Sequence, residues 1–173
     1  MATITTRTAQ LSDCEELARI HVQTWQCAYR GQMPDSVLDS LSVEKRKTRW
    51  QKILTKAEKG VSTLVAEIDG QLAGFSTVGY CRDEDMVYST GELWSLYVDP
   101  AQMNKGVGAV LMSAAFADLK NLGYSSATLW VLISNKKTRR WYEKRGWVLE
   151  GDTKDDDKDG FTLREIRYTH ALE

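Results

Sequence analysis

The hydrophobic pattern changes period between Glu92 and Leu122. From Glu92 to Val98 the run ELWSLYV is rich in aromatic and branched residues and predicts a strand, ended at Asp99-Pro100 because proline has no N–H for a ladder. From Val107 onward Val110, Leu111, Ala114, Ala115 and Leu122, with Asp118 the one polar member, recur at helical spacing and predict a long helix closed by Gly123.

The same reading organises the rest of the chain. Thr3 to Thr8 alternates as a first strand, and Ser12-Asp13 supplies an N-cap for a helix carrying Leu17, Ile20, Val22 and Trp25 that ends near Tyr29-Arg30-Gly31. Pro34 starts a short helical turn through Leu38 and Leu41. A charged helix follows from about Val43 to Lys59, with Trp50, Ile53, Leu54 and Ala57 as its apolar stripe and Gly60 as its end. Ser62 to Ile68 and Leu72 to Tyr80 form a hairpin, because Asp69-Gly70 between them tolerates the positive φ angles of a two-residue turn. Beyond the long helix come a strand from Ala127 to Ile133 and a short helix from Asn135 to Lys144 stopped by Gly146. Two terminal strands, Trp147 to Thr153 and Phe161 to Ala171, enclose an acidic loop. This order predicts one α/β layered domain over residues 1–173, with a mixed sheet rather than a regular doubly wound one.

Composition narrows the function classes. A formal net charge of −1 on 173 residues leaves no global basic field for nonspecific nucleic-acid binding, so any anion site is local. Cys14, Cys27 and Cys81 are odd in number and contain no Cys-x-x-Cys pair, which argues against a disulfide framework or a zinc site; Cys14 and Cys27 are expected to pack as small apolar residues on a helix. The sequence MATITTRTAQ has no signal core, and no stretch approaches a membrane span, so a cytoplasmic location is the default expectation.

Lys105-Gly106-Val107-Gly108 places two residues without a Cβ at the start of the long helix, where unpaired N–H groups and the positive dipole end suit a phosphate. A Walker loop is excluded because lysine precedes the glycine, and a dinucleotide fingerprint fails because its third glycine would be Leu111. Two glycines that merely permit a tight turn remain the alternative.

Two strings together go further. LYVDPAQMNKGVG (Leu96 to Gly108) and NKKTRRWYEKRGW (Asn135 to Trp147), separated by a helix and a strand, resemble the two signature segments of the GNAT superfamily of acetyl-CoA-dependent N-acetyltransferases; the resemblance is good over roughly residues 62 to 150. It implies a twisted, mostly antiparallel sheet of about seven strands flanked by helices and splayed between strands 4 and 5, with acetyl-CoA in the gap. The main chain of Leu96, Tyr97 and Val98 would hold the pantetheine as an added strand, Asn135 would bind it from the other side, and the amides of Asn104, Lys105, Gly106, Val107 and Gly108 would hold the pyrophosphate. Met103 departs from the family's usual glutamine or arginine and removes one polar phosphate contact.

The implied activity is acetyl transfer to a primary amine of a small molecule or protein, by direct attack in a ternary complex. Glu92 matches a base position of the family and Tyr142 the tyrosine that donates to the departing thiolate, while the Val98 amide would polarise the thioester. Read without the resemblance, Glu92 is a solvated residue at a strand start and Tyr142 one more aromatic beside Trp141. Trp25 and Tyr29 fall where the family's helices line the acceptor pocket. Lys136, Lys137, Arg139, Arg140, Lys144 and Arg145 read chiefly as a solvated helix face, with one or two near the 3′-phosphate. Asp155, Asp157, Asp159 and Gly160 match half a calcium loop whose twelfth position is Ile166, so an acidic hairpin is expected there. His21 and His170 are isolated. No metal, nucleic-acid or membrane partner is implied, and a homodimer is left open. The alternative from another class is a noncatalytic acyl-CoA-binding regulatory module.

Overall fold

A computed structural model describes residues 3–158 and 161–173, without the side chain of Lys158. The hairpin forms where the turn chemistry places it: Asp69 at φ 51° and Gly70 at φ 78° join β2 (Ser62–Ile68) to β3 (Gln71–Tyr80). With β1 (Ile4–Thr8), β4 (Thr90–Val98), β5 (Ser126–Leu132), β6 (Val148–Lys158) and β7 (Phe161–Ala171) they build a seven-stranded sheet in the order β1-β2-β3-β4-β5-β7-β6. Every neighbouring pair is antiparallel except β4 and β5.

Two apolar layers cover the sheet. On one face α1 (Cys14–Ala28) and α3 (Val43–Lys56) bury Leu17, Ile20 and Trp50 against Val65 and Phe75, with the short α2 (Asp35–Asp39) beside them. On the other, α4 (Val107–Asn121) seats Val107 and Leu111 on Ala66 and Ala73, and Met112, Ala115 and Leu119 on Val78, Leu93, Leu129 and Val131. Tyr142, on α5 (Lys136–Glu143), completes that second cluster.

Several local expectations are corrected. Asp13 makes no N-cap bond; its carboxylate accepts from the Gln10 amide and a fork from Arg7, closing a 3-10 turn before α1. The charged helix stops at Ala57, at φ 43°, rather than at Gly60, and its stripe is narrower than expected because Ile53 is 40% exposed and Ala57 exposed. Leu122 is likewise 40% exposed, since the seam of α4 runs instead through Met112 and Leu119, while Asp118 accepts from the Ser62 hydroxyl at 2.5 Å. Cys14 is buried as expected, but Cys27 is exposed.

The acidic stretch is strand rather than loop: β6 runs through Asp155, Asp156 and Asp157, which face Arg164, Leu163 and Thr162 of β7. The calcium-loop positions Asp159 and Gly160 lie outside the described residues. Ion pairs run across the two strands, with Arg164 to Asp155 and Lys154 to Glu165 both at 3.7 Å. Arg167 on β7, with a side chain only 2% exposed, gathers Asp83 at 3.2 Å, Asp85 at 2.5 Å, Asp152 at 2.6 Å and Glu150, and lies over the Trp130 ring. The one guanidinium compensates the four carboxylates, which without it would be left repelling one another with no counter-charge.

Arg167→Leu is therefore expected to lower stability by about 3 kcal/mol near neutral pH. The hydrogen bond from Arg167 holds the Asp85 carboxyl below its usual range, so that part of the stability is present above the ordinary aspartate pKa and lost as pH falls through the folded value. Urea unfolding at stepped pH values should show the deficit of the variant shrinking in acid; a deficit independent of pH would exclude this electrostatic account.

Candidate active site

Parting of β4 from β5 creates the site. The two strands pair only at Thr90–Ser126, Gly91–Ala127 and Glu92–Thr128, whereas β4 remains bonded to β3 as far as Val98. An extra residue, Trp94, bulges β4 between Leu93 and Ser95, and its indole donates to the Tyr80 carbonyl at 3.0 Å. Beyond Glu92 the β5-facing edge of β4 is thus left without a ladder. The Asp99 amide donates to Ala73 on β3, so alternation turns the Val98 and Leu96 main-chain groups away from β3. The Val98 carbonyl there accepts from the Thr24 hydroxyl at 3.2 Å.

The turn from Met103 to Gly108 stands at the end of that edge. Asn104 sits at φ 63°, a left-handed conformation asparagine tolerates, and Gly106 at φ 90° is the N-cap of α4. The first backbone bonds reach the Gly106 carbonyl from Ala109 and Val110, and among the described residues the amides of 104–108 donate to no protein group. Lys105 bonds Gln102 at 2.8 Å and is exposed. Gly108 is tight for another reason than phosphate: a Cβ there would stand 3.1 Å from the Trp141 indole. Trp141 in turn carries the Arg145 guanidinium 3.8 Å above its ring, so part of the basic cluster is committed to structure. Arg139 likewise donates to Tyr168 and to the Ile133 carbonyl.

Each candidate catalytic group has a definite setting. Glu92 is 1% exposed, not solvated, and accepts from the Arg82 amide at 3.0 Å, from its Nε at 3.2 Å and from its Nη2. Arg82 also lies 4.7 Å over the Trp94 ring. Tyr142 is 8% exposed, packs edge-on to Trp141 and Trp147, and its hydroxyl makes no hydrogen bond among the described residues. Burial raises its pKa well above that of an ordinary tyrosine, with Tyr97 adding to the effect, so it stays protonated. Asn135 caps α5, its side-chain oxygen accepting from the Thr138 amide at 3.3 Å.

The strand pattern could not locate the groups on the α1 side. The Tyr97 side chain points to α1, where its hydroxyl accepts from Trp25 Nε1 at 3.1 Å and its ring lies 5.0 Å from His21. Trp25 and Tyr29 pack edge to face at 5.1 Å. Tyr29 is also held protonated, chiefly by burial and then by Tyr97 and Tyr142. His21, isolated in sequence, lies among Trp25, Trp50, Phe75 and Tyr97 with Nδ1 buried and unpartnered. His170 packs instead on Phe116 and Trp147. No group of three or more His, Cys, Asp or Glu poised for a metal occurs among the described residues, nor any helix long and apolar enough to cross a membrane.

Residues 16–147 match the acetyltransferase (GNAT) family. The chain belongs to that family and is an acyltransferase. An uncharacterised N-acetyltransferase of Bacillus subtilis, YuaI, is 30% identical over 76% of this chain and 73% of its own. The fold is that of the PaiA N-acetyltransferase of Thermoplasma acidophilum, solved with coenzyme A (TM-score 0.73, 23% identity, 96% of this chain and 99% of that one). It is also that of YncA from Salmonella typhimurium, solved with acetyl-CoA (TM-score 0.71, 22% identity, 98% and 94%). The seven-stranded sheet and its one parallel pair agree with the expected architecture.

His21 supplies a test of the aromatic chamber. Burial, with the nearby charges of Arg46 and Arg49, pushes its pKa down to about 3 from the ordinary 6.5. A depressed base contributes stability that is full above the unfolded pKa and is lost as pH falls from 6.5 toward 3. Between pH 7 and 5, His21→Phe should lose about 2 kcal/mol less stability than the wild type, one proton's worth over that window. Parallel losses in the two proteins would show that His21 is not held neutral.

Proposed function

We propose that the protein transfers the acetyl group of acetyl-CoA to a primary amine by direct attack in a ternary complex. The observation that supports this most is the unladdered edge of β4 leading to a turn whose amides are free: an added strand from pantetheine and an anion on the helix start are what such an edge accepts. In this reading Leu96, Tyr97 and Val98 supply the main-chain edge, and residues 104–108 with Lys105 receive the pyrophosphate. Met103, half-buried, contributes no polar atom. Asn135 has its amide nitrogen left for the pantetheine, because its oxygen caps α5.

In the chemical step the amine nitrogen attacks the thioester carbon, a C–N bond forms, the C–S bond breaks, and the amine's proton must go to a base. The Val98 amide steadies the carbonyl oxygen as charge develops on it. Tyr142, buried and protonated, then gives its proton to the leaving sulfur. Glu92 is assigned the base, reached through water. A primary amine with a pKa of about 10.4 is mostly protonated at neutral pH, so deprotonation is a real requirement.

The Arg82 fork favours a second role for Glu92. Both carboxylate oxygens already accept from Arg82, and such a pair ties the chain before β4 to the residue at which β4 and β5 part.

Kinetics of two variants separate these roles. Tyr142→Phe should lower kcat by about 100-fold while acetyl-CoA affinity is nearly unchanged. For Glu92→Gln, a base predicts a rate loss that is recovered as pH rises and the amine deprotonates unaided. An anchor predicts a loss that persists at every pH together with a lower melting temperature. An undiminished rate in Tyr142→Phe would remove it from the mechanism.

A further inference from the structure

Acetyl-CoA, as read into the cleft, needs two seats at once: the open edge of β4 for its pantetheine and the amides of residues 104–108 for its pyrophosphate. Between the seats runs a connector from Asp99 to Met103, and Asp99 organises it. All four of its polar atoms are committed. Its N–H donates to the Ala73 carbonyl on β3 at 2.8 Å, its carbonyl accepts from the Gln102 amide at 2.8 Å, and Oδ1 accepts from the Ala101 amide at 2.9 Å, the last two closing the 3-10 turn Pro100–Gln102. Gln102 in turn accepts from Lys105 Nζ at 2.8 Å. Those three partners of Asp99 are backbone groups of the sheet and the turn. The fourth is a side chain of another layer: Oδ2 accepts from Arg19 Nη2 on α1 at 2.8 Å.

Arg19 is oriented for that contact. Its Nε and Nη2 donate to Glu16 at 2.9 and 2.7 Å and its Nη1 to Gln23 at 2.7 Å, so neighbours on its own helix set the plane of the guanidinium. Asp99 is 5% exposed, which leaves Oδ2 little water to turn to if Arg19 is lost. Two more residues of α1 hold the same end of β4: Thr24 donates to the Val98 carbonyl at 3.2 Å and Trp25 to the Tyr97 hydroxyl at 3.1 Å. Tyr97, Val98 and Asp99 are thus held in succession from one helix, where the open edge ends and the connector begins. Thr24 and Trp25 hold the edge, and Arg19 holds the connector.

We propose that Arg19 is a positioning residue for acetyl-CoA: by holding Asp99 it fixes the offset between the open edge of β4 and the amide turn, so that one molecule reaches both. This rests on the acetyl-CoA reading of the same cleft. A ligand with two ends joined by a tether gains from its second contact only when the two seats stand at the distance the tether spans. Releasing the Asp99 carboxylate leaves each seat intact, since the edge keeps its ladder to β3 and the turn keeps its helix start, but the offset between them is no longer fixed. The loss therefore falls on the whole molecule and spares its halves.

Calorimetric titration of the wild type and of Arg19→Met with CoA, with pantetheine and with adenosine 3′-phosphate 5′-diphosphate tests this, the last two being the halves that take the edge and the turn. In Arg19→Met the affinity for CoA should fall about tenfold or more, while that for each half changes by less than about twofold. Arg19→Lys, which keeps a cation for Oδ2, should lose less. The ratio of kcat/KM for acetyl-CoA to that for S-acetylpantetheine should fall in step with the CoA affinity. If Arg19→Met does not fold, because Asp99 has lost its counter-charge, Arg19→Met/Asp99→Asn leaves no carboxylate there, keeps an acceptor for the Ala101 amide, and should show the same selective loss. A parallel loss for CoA and both halves would reduce Arg19 to a support of the fold, and an unchanged CoA affinity would make the offset independent of it. Either result overturns the inference and leaves acetyl-CoA binding standing. A wild type that binds neither CoA nor its halves overturns the acetyl-CoA reading of the cleft itself.

Discussion

Two parallel strands that hydrogen-bond over three residue pairs and then separate are the constraint on which this molecule depends. Parallel pairing is the weaker form of ladder, and here it is confined to a short seam. The seam is secured by side chains: Thr128 donates to the Gly91 carbonyl at 3.4 Å, the Thr90 and Ser126 hydroxyl groups meet at 3.0 Å, and Arg82 clasps Glu92. Past the seam β4 bulges at Trp94 and keeps only its β3 partner. An internal strand edge left open in this way is normally a hazard for mispairing, and here α1 and α4 pack on the two faces of β4 while the edge itself stays without a strand.

Charge is placed with the same economy of position. Where a carboxylate is buried, as with Glu92 and Asp13, an arginine reaches it, and where Arg167 is buried, four carboxylates surround it. These satisfied groups frame the strands. Other polar groups have no partner among the described residues: the amides of residues 104–108 at the start of α4, the Tyr142 hydroxyl, Nδ1 of His21, Oγ of Ser76 and the indole nitrogens of Trp50 and Trp147. The first two are the groups to which the proposed acetyl-CoA site gives partners.

Much of this was legible in the sequence because it is local. Asp69-Gly70 fixes a turn by φ alone, Lys105-Gly106-Val107-Gly108 fixes a helix start, and period-two and period-3.6 runs fix most elements to within a few residues. What failed was decided across strands or between layers. The acidic run is strand, paired with β7 where Arg164 faces Asp155 and Arg167 reaches back to Asp152, contacts no local pattern contains. Glu92 read as a base or, failing that, a solvated strand start, because nothing in its neighbourhood announces Arg82 ten positions earlier as its partner. Tyr97 was expected to act through its main chain, and nothing in the alternation of β4 shows its hydroxyl meeting Trp25. His21 was isolated in sequence and is central in space.

The most direct test of the cleft as the acetyl-CoA site is amide hydrogen exchange, read residue by residue with and without acetyl-CoA. Leu96 and Val98 on β4 and residues 104–108 at the start of α4 should gain protection together when acetyl-CoA is added, because each donates to the ligand rather than to protein. Protection confined to other segments, or none at saturating acetyl-CoA, would contradict the account.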